Sequence, residues 1–151
     1  MHFFKYRLGF LFYLAFIIAG SNVSAFDDPA LVYEKNQQHF DAANRFALYS
    51  YSLRYLKLSR CRNKVNLTDH TNEDLTFIRG TLSKDENIYF SEDIVAIEES
   101  WPDDIESEIA HRIKKSGNID YTCHELESLY TASYKKAKEA FLQLIKAKIK
   151  L

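Results

Sequence analysis

Glu108-Ile109-Ala110-His111 sets a carboxylate and an imidazole three residues apart, the spacing by which di-iron bundles aim two ligands inward from one helix. Such centres need the pair twice, with further glutamates, and this chain has it once. His111 also lies off the stripe of Ile105, Ile109 and Ile113, so it reads as an exposed helix residue; no metal site and no cofactor is expected. A second group, Asp120, Cys123, His124 and Glu127, brings a thiol next to an imidazole. Neighbours in sequence diverge by about 100° on a helix, so adjacency does not make a Cys-His dyad. No Cys-x-x-Cys occurs, which speaks against a thioredoxin-like site and a covalent haem.

Carboxylates stand in pairs at Glu98-Glu99 and Asp103-Asp104. General acid and base work requires burial that drives two pKa values apart, whereas these pairs fall in stretches that read as helix caps and polar turns. No Gly-rich phosphate loop, nucleophile elbow or His-x-x-x-His helix is present. No catalytic residue is nominated, and a non-enzymatic role is expected. Asn66-Leu67-Thr68 is a glycosylation sequon, with meaning only in a eukaryotic secretory route.

The elements that carry these residues read as helices. After the first 25 residues only Gly80, Gly117, Pro29 and Pro102 interrupt the chain, which favours helices over a turn-rich β fold. Asp27 or Asp28 can cap a helix with Pro29 in its first turn, and no breaker follows until about Arg60. That predicts a helix of about 30 residues, or about 45 Å. Phe46, Tyr49, Leu53 and Leu56 form one stripe on it, joined by Phe40, Ala43 and Ala47. Leu48, Tyr51, Tyr55 and Leu58 form a second, on the opposed side. Either the helix is central in a bundle or its tyrosine stripe meets a partner, since tyrosine combines contact area with a polar tip.

Thr71 with Asp74 resembles a capping box and opens a short helix marked by Leu75, Ile78 and Leu82. Asn87 to Phe90 reads as an extended link, Ser91 as the cap of a short helix through Glu99, and Trp101-Pro102 as a break. Ile105, Ile109 and Ile113 then mark a further helix that ends at Gly117. The last helix is predicted from about Asp120 to Lys148, with Leu126, Leu129, Tyr130, Ala137, Phe141 and Leu144 on its buried face. The expected architecture is all-α, a small bundle of two long antiparallel helices bracketing two or three short ones. Cys61 closes the first long helix and Cys123 opens the last, so an antiparallel pairing brings them to the same end and permits one disulfide.

Lys5 and Arg7, the apolar run Leu8 to Ala19 and the small-residue pattern Val23-Ser24-Ala25 have the form of a cleavable signal peptide, cut between Ala25 and Phe26. The apolar run is shorter than the roughly 20 residues of a spanning helix. Residues 26–151 then form a single exported domain, more in keeping with a bacterial periplasm than with the extracellular space, carrying 18 Lys and Arg against 21 Asp and Glu. That balance speaks against a nucleic-acid partner. Its charge is unevenly spread: residues 85–110 hold ten acids and no Lys or Arg, and residues 134–151 hold six lysines and one glutamate.

Two partner surfaces follow as expectations. One, for a protein met in the manner of an inhibitor or immunity-type protein, is nominated at two separate places, the stripe Leu48, Tyr51, Tyr55 and Leu58 and the acidic stretch Glu98, Glu99, Trp101, Asp103 and Asp104. The other is the amphipathic last helix, whose Lys135, Lys136, Lys138, Lys146, Lys148 and Lys150 suit weak contact with an anionic membrane surface.

Overall fold

The computed structural model describes residues 29–149, with side chains over 36–147. The proposed signal peptide with its Ala25-Phe26 cleavage point, the capping residues Asp27 and Asp28, and Lys150 lie outside the described residues, as does the side chain of Lys148. Four helices follow one another: α1 (Pro29–Leu58), α2 (Thr71–Arg79), α3 (Lys84–Ser116) and α4 (Ile119–Ile149). The fold is an all-α bundle. Among the described residues no helix is long and apolar enough to cross a membrane.

α1 is central and packs against all three other helices. Its contacts with α3 advance together along both helices, from His39 with Glu86 through Asn44 with Asp93 to Tyr51 with Glu98, and Arg60 just beyond its end meets Glu106, so the two helices run parallel. α4 runs the other way: His39 stacks on Phe141 and Cys61 joins Cys123. The topology is up-down-up-down with one short helix. Phe46, Ala43 and Ala47 of α1, Leu75 and Ile78 of α2, Phe90 and Ile94 of α3 and Phe141 of α4 build one core cluster. Leu56, Cys61, Ile105, Ile109, Cys123 and Leu126 build a second at the other end, and Tyr55 and Trp101 touch both. The tyrosine stripe belongs mostly to this interior. Tyr51 is only 2% exposed, and its ring stacks on Tyr55 at 5.7 Å.

The middle of the chain departs from its sequence reading. α3 is one helix of 33 residues that passes through Pro102, where a break was expected, and Asn87 to Phe90 are helical rather than extended. Proline removes one backbone donor and crowds the carbonyl four residues back, which ordinarily costs a helix interior about 3 kcal/mol. Here Phe90, Ile94, Ile97, Trp101, Ile105 and Ile109 keep one buried stripe in register on both sides of it, and packing outweighs the lost rung. The start of α3 is a capping box not anticipated from sequence: Glu86 N–H donates to Ser83 Oγ, and Ser83 N–H donates to Glu86 Oε2 at 2.7 Å. Ser91, expected to be a cap, sits within the helix and donates to the Asn87 carbonyl. Gly117 ends α3 in the left-handed region, φ 67°, where a side chain would be strained. On α4, Leu129 is 46% exposed rather than buried.

Asp74 also does something other than cap α2. It is 4% exposed and accepts from Ser50 Oγ at 2.8 Å, from Tyr134 Oη at 2.9 Å and from Lys138 Nζ at 3.2 Å. One carboxylate thus ties α2 to α1 and α4, with all its partners supplied by side chains.

Candidate functional site

The disulfide Cys61–Cys123 spans 5.5 Å between Cα atoms and is fully buried, so the Cys123 sulfur is committed to a crosslink. His124 is exposed beside it and reaches Glu127 at 3.4 Å. His111 lines an open depression of about 480 Å³ with Arg112, Lys115, Tyr121 and Glu125. Glu108 lines the same depression, but its carboxylate is taken up by a cation: Arg112 Nε donates to Glu108 Oε1 at 2.6 Å, and Arg112 Nη1 pairs with Glu125 at 3.0 Å. Those two carboxylates hold the guanidinium pKa above its usual value, the hydrogen bond donated to Glu108 contributing most. Among the described residues no group of three or more His, Cys, Asp and Glu is arranged to hold a metal ion.

The nominated protein-binding residues separate into an inner and an outer set. Tyr51 donates to Glu98 Oε1 at 2.6 Å, and Trp101 Nε1 donates to Ser52 Oγ at 3.0 Å, so both rings bind α3 to α1. Burial, followed by the hydrogen bond to Glu98, pushes the Tyr51 hydroxyl far above the ordinary phenol range. Tyr51 therefore offers no free surface, which corrects its assignment to one; Trp101 and Tyr55 are half-buried, while Leu48 is half-buried and Leu58 exposed at places well apart along α1. Glu99, Asp103 and Asp104 are exposed.

Continuity through Pro102 organises these outer acids. Asp85, Glu92, Glu99 and Asp103 are spaced by seven, seven and four residues, which puts them within one narrow stripe about 27 Å long. All four are exposed and none has an ion-pair partner among the described residues. Ile88 and Val95, seven apart, flank the stripe on one side at 53% and 51% exposure, and Tyr89 flanks it on the other at 62%. Three of the exposed large apolar side chains thus share one face of a single helix with a row of uncompensated carboxylates. Single exposed apolar residues are ordinary, but a set of them aligned with like charge is not. Sequence reasoning missed Ile88, Tyr89 and Val95 because it placed them in an extended link and a separate short helix.

The lysines of α4 do not form one basic face. Lys138 turns inward to Asp74 and lies 5.4 Å from the centre of the Phe46 ring, which corrects its assignment to a membrane-facing row. Lys136 lines a groove against α1, and Lys135 and Lys146 are exposed. Compared with protein-family models, with curated proteins and with solved structures, the chain matches none.

Proposed function

We propose that this chain is an exported, non-enzymatic protein-binding protein, of the inhibitor or immunity type, that docks a basic partner on the outer face of α3. The observation that carries this reading is the stripe of Asp85, Glu92, Glu99 and Asp103, exposed and without cations of its own, interleaved with Ile88, Tyr89 and Val95. Uncompensated charge speeds encounter with an oppositely charged surface, and the apolar residues supply contact area once the surfaces meet. A buried disulfide and a form-holding bundle suit an oxidising compartment such as a periplasm. The partner would present lysines or arginines around an apolar patch.

The test is affinity capture from the exported proteins of the source organism, with the parent protein and a Glu92→Lys/Glu99→Lys variant as parallel baits. Both positions are exposed, so the variant keeps its fold. A partner retained by the parent, released by salt and not retained by the variant supports the reading. Equal retention by the two baits, or none by either, removes it.

A further inference from the structure

A groove of about 520 Å³ runs between α1 and α4 on the side away from α2, and its lining is mainly apolar. Its bed is made of short side chains, Ala42, Ala137 and Ala140, and Leu144 closes one end. The helices are antiparallel here, so Arg45 of α1 and Lys136 of α4 stand at the same level, toward the other end. Neither cation has an ion-pair partner among the described residues. Tyr49 and Ser133 lie one turn further along on each wall, and among the described residues no hydrogen bond occupies either hydroxyl. Asp41 lies on the lip of the groove, with its Oδ1 held by the Gln37 amide at 3.0 Å. Four donors without partners among the described residues thus gather at one end of an apolar trough. From Arg45 to the level of Gln38 the trough extends about 10 Å at 1.5 Å per residue.

We propose that this groove binds a single-chain amphiphile with an anionic head, the head held by Arg45 and Lys136 and the tail laid over Ala137 and Ala140 toward Leu144. Sites between bundle helices typically combine such an apolar bed with a few convergent polar groups, and their volumes include the one seen here. A guanidinium presents a planar fork that matches a carboxylate or a phosphate, and the Lys136 ammonium adds a second charge. The site lies on a different face from the acidic stripe of α3 and stands or falls independently of it.

Calorimetric titration of the purified protein with dodecanoate, kept below its micelle concentration, tests the assignment. Saturable one-to-one binding is expected, with affinity lowered about tenfold or more in an Arg45→Ala/Lys136→Ala variant. Ala140→Phe should abolish binding by filling the tail site; the position is exposed, and unchanged circular dichroism verifies the fold. Dodecyltrimethylammonium, with the same tail and the opposite head, should not bind saturably. The proposal is overturned by absence of saturable dodecanoate binding, by equal binding of the cationic amphiphile, or by variants that bind as the parent does. Attachment to phosphatidylglycerol vesicles without binding of free dodecanoate would also overturn it, assigning these cations to a bilayer surface.

Discussion

At one end of the bundle four helices enclose the core, and at the other only three do. Where α2 is present, Phe46, Ile78, Phe90 and Phe141 meet around a cluster to which every helix contributes, and Asp74 gathers Ser50, Tyr134 and Lys138 beneath it. Beyond α2, the place of the fourth helix is taken by the loop of residues 59–70, which supplies Cys61, Val65 and Leu67 to the second cluster. That loop is fastened from outside: Arg60 pairs with Glu106 at 2.7 Å, Lys64 with Asp120, and the Asn66 N–H donates to Glu127 at 3.0 Å. These pairs are largely exposed and individually weak. The disulfide is the one strong tie among them. A loop lacks the apolar face of a helix, and a covalent link substitutes for the burial it cannot supply.

If that comparison is right, the most damaging single change is Asp74→Ala. It leaves the buried Ser50 hydroxyl without an acceptor, at about 1–3 kcal/mol, and the half-buried Tyr134 hydroxyl at less, while half-exposed Lys138 can turn to water. We expect a loss of about 3–5 kcal/mol in urea unfolding, and a smaller one for Asp74→Asn, which retains an acceptor. Equal and slight effects of the two would mean that the network is ornamental and that apolar burial alone holds α2.

Replacing Cys61 and Cys123 by alanine should cost about 2–4 kcal/mol, in keeping with the removal of a crosslink across 62 residues. The loss should also be local. Amide exchange should quicken over residues 59–70 and the first turns of α4, with α2 and the facing part of α1 unchanged. Uniform acceleration along the chain would show that the two ends do not behave as separate units.

Pro102 sits at the seam between the ends, beside Trp101, which touches both clusters. Pro102→Ala restores a backbone donor to the middle of α3 and should raise stability by about 1–3 kcal/mol. It should also bring the exchange rates of the two ends closer together. A neutral or destabilising result would mean that the helix is shaped around the proline ring at this point.

The parts of this organisation that were legible in the sequence were those set by uninterrupted periodicity. Residues 29–58 and 119–149 contain no internal breaker and carry strong apolar stripes, so both long helices, their antiparallel pairing and the Cys61–Cys123 link followed. α3 was hidden because a proline was weighed as local punctuation, although the spacing from Phe90 to Ile109 runs through it in helical register. The outer face of α3 was consequently visible as charge but not as a surface: Glu99 and Asp103 were nominated, while Ile88, Tyr89 and Val95 align with them only on a continuous helix. Tyr51 was ambiguous for another reason. Periodicity locates a face and does not say whether another helix covers it; the hydrogen bonds from Tyr51 to Glu98 and from Trp101 to Ser52 identify the cover as α3.

The smallest expected effect concerns pH, and two of the groups that carry it lie at the end that contains α2. Tyr51 and Tyr134 of that end have raised pKa values, burial being the largest cause for each, with Glu98 and Asp74 respectively disfavouring a phenolate. The folded chain then holds these phenol protons more tightly than the unfolded chain, in which tyrosine titrates near its ordinary 10.0. Their contribution to stability is complete below that pH and is lost as pH rises through the folded values, because only the unfolded state releases protons in that interval. Stability should therefore decline above about pH 10, with the decline shallower in Tyr51→Phe, which removes one of the linked groups. Urea unfolding at a series of alkaline pH values, with the disulfide verified intact, measures the two slopes. Parallel slopes would mean that Tyr51 reaches water before the end with α2 unfolds, and that the four-helix end is the looser of the two.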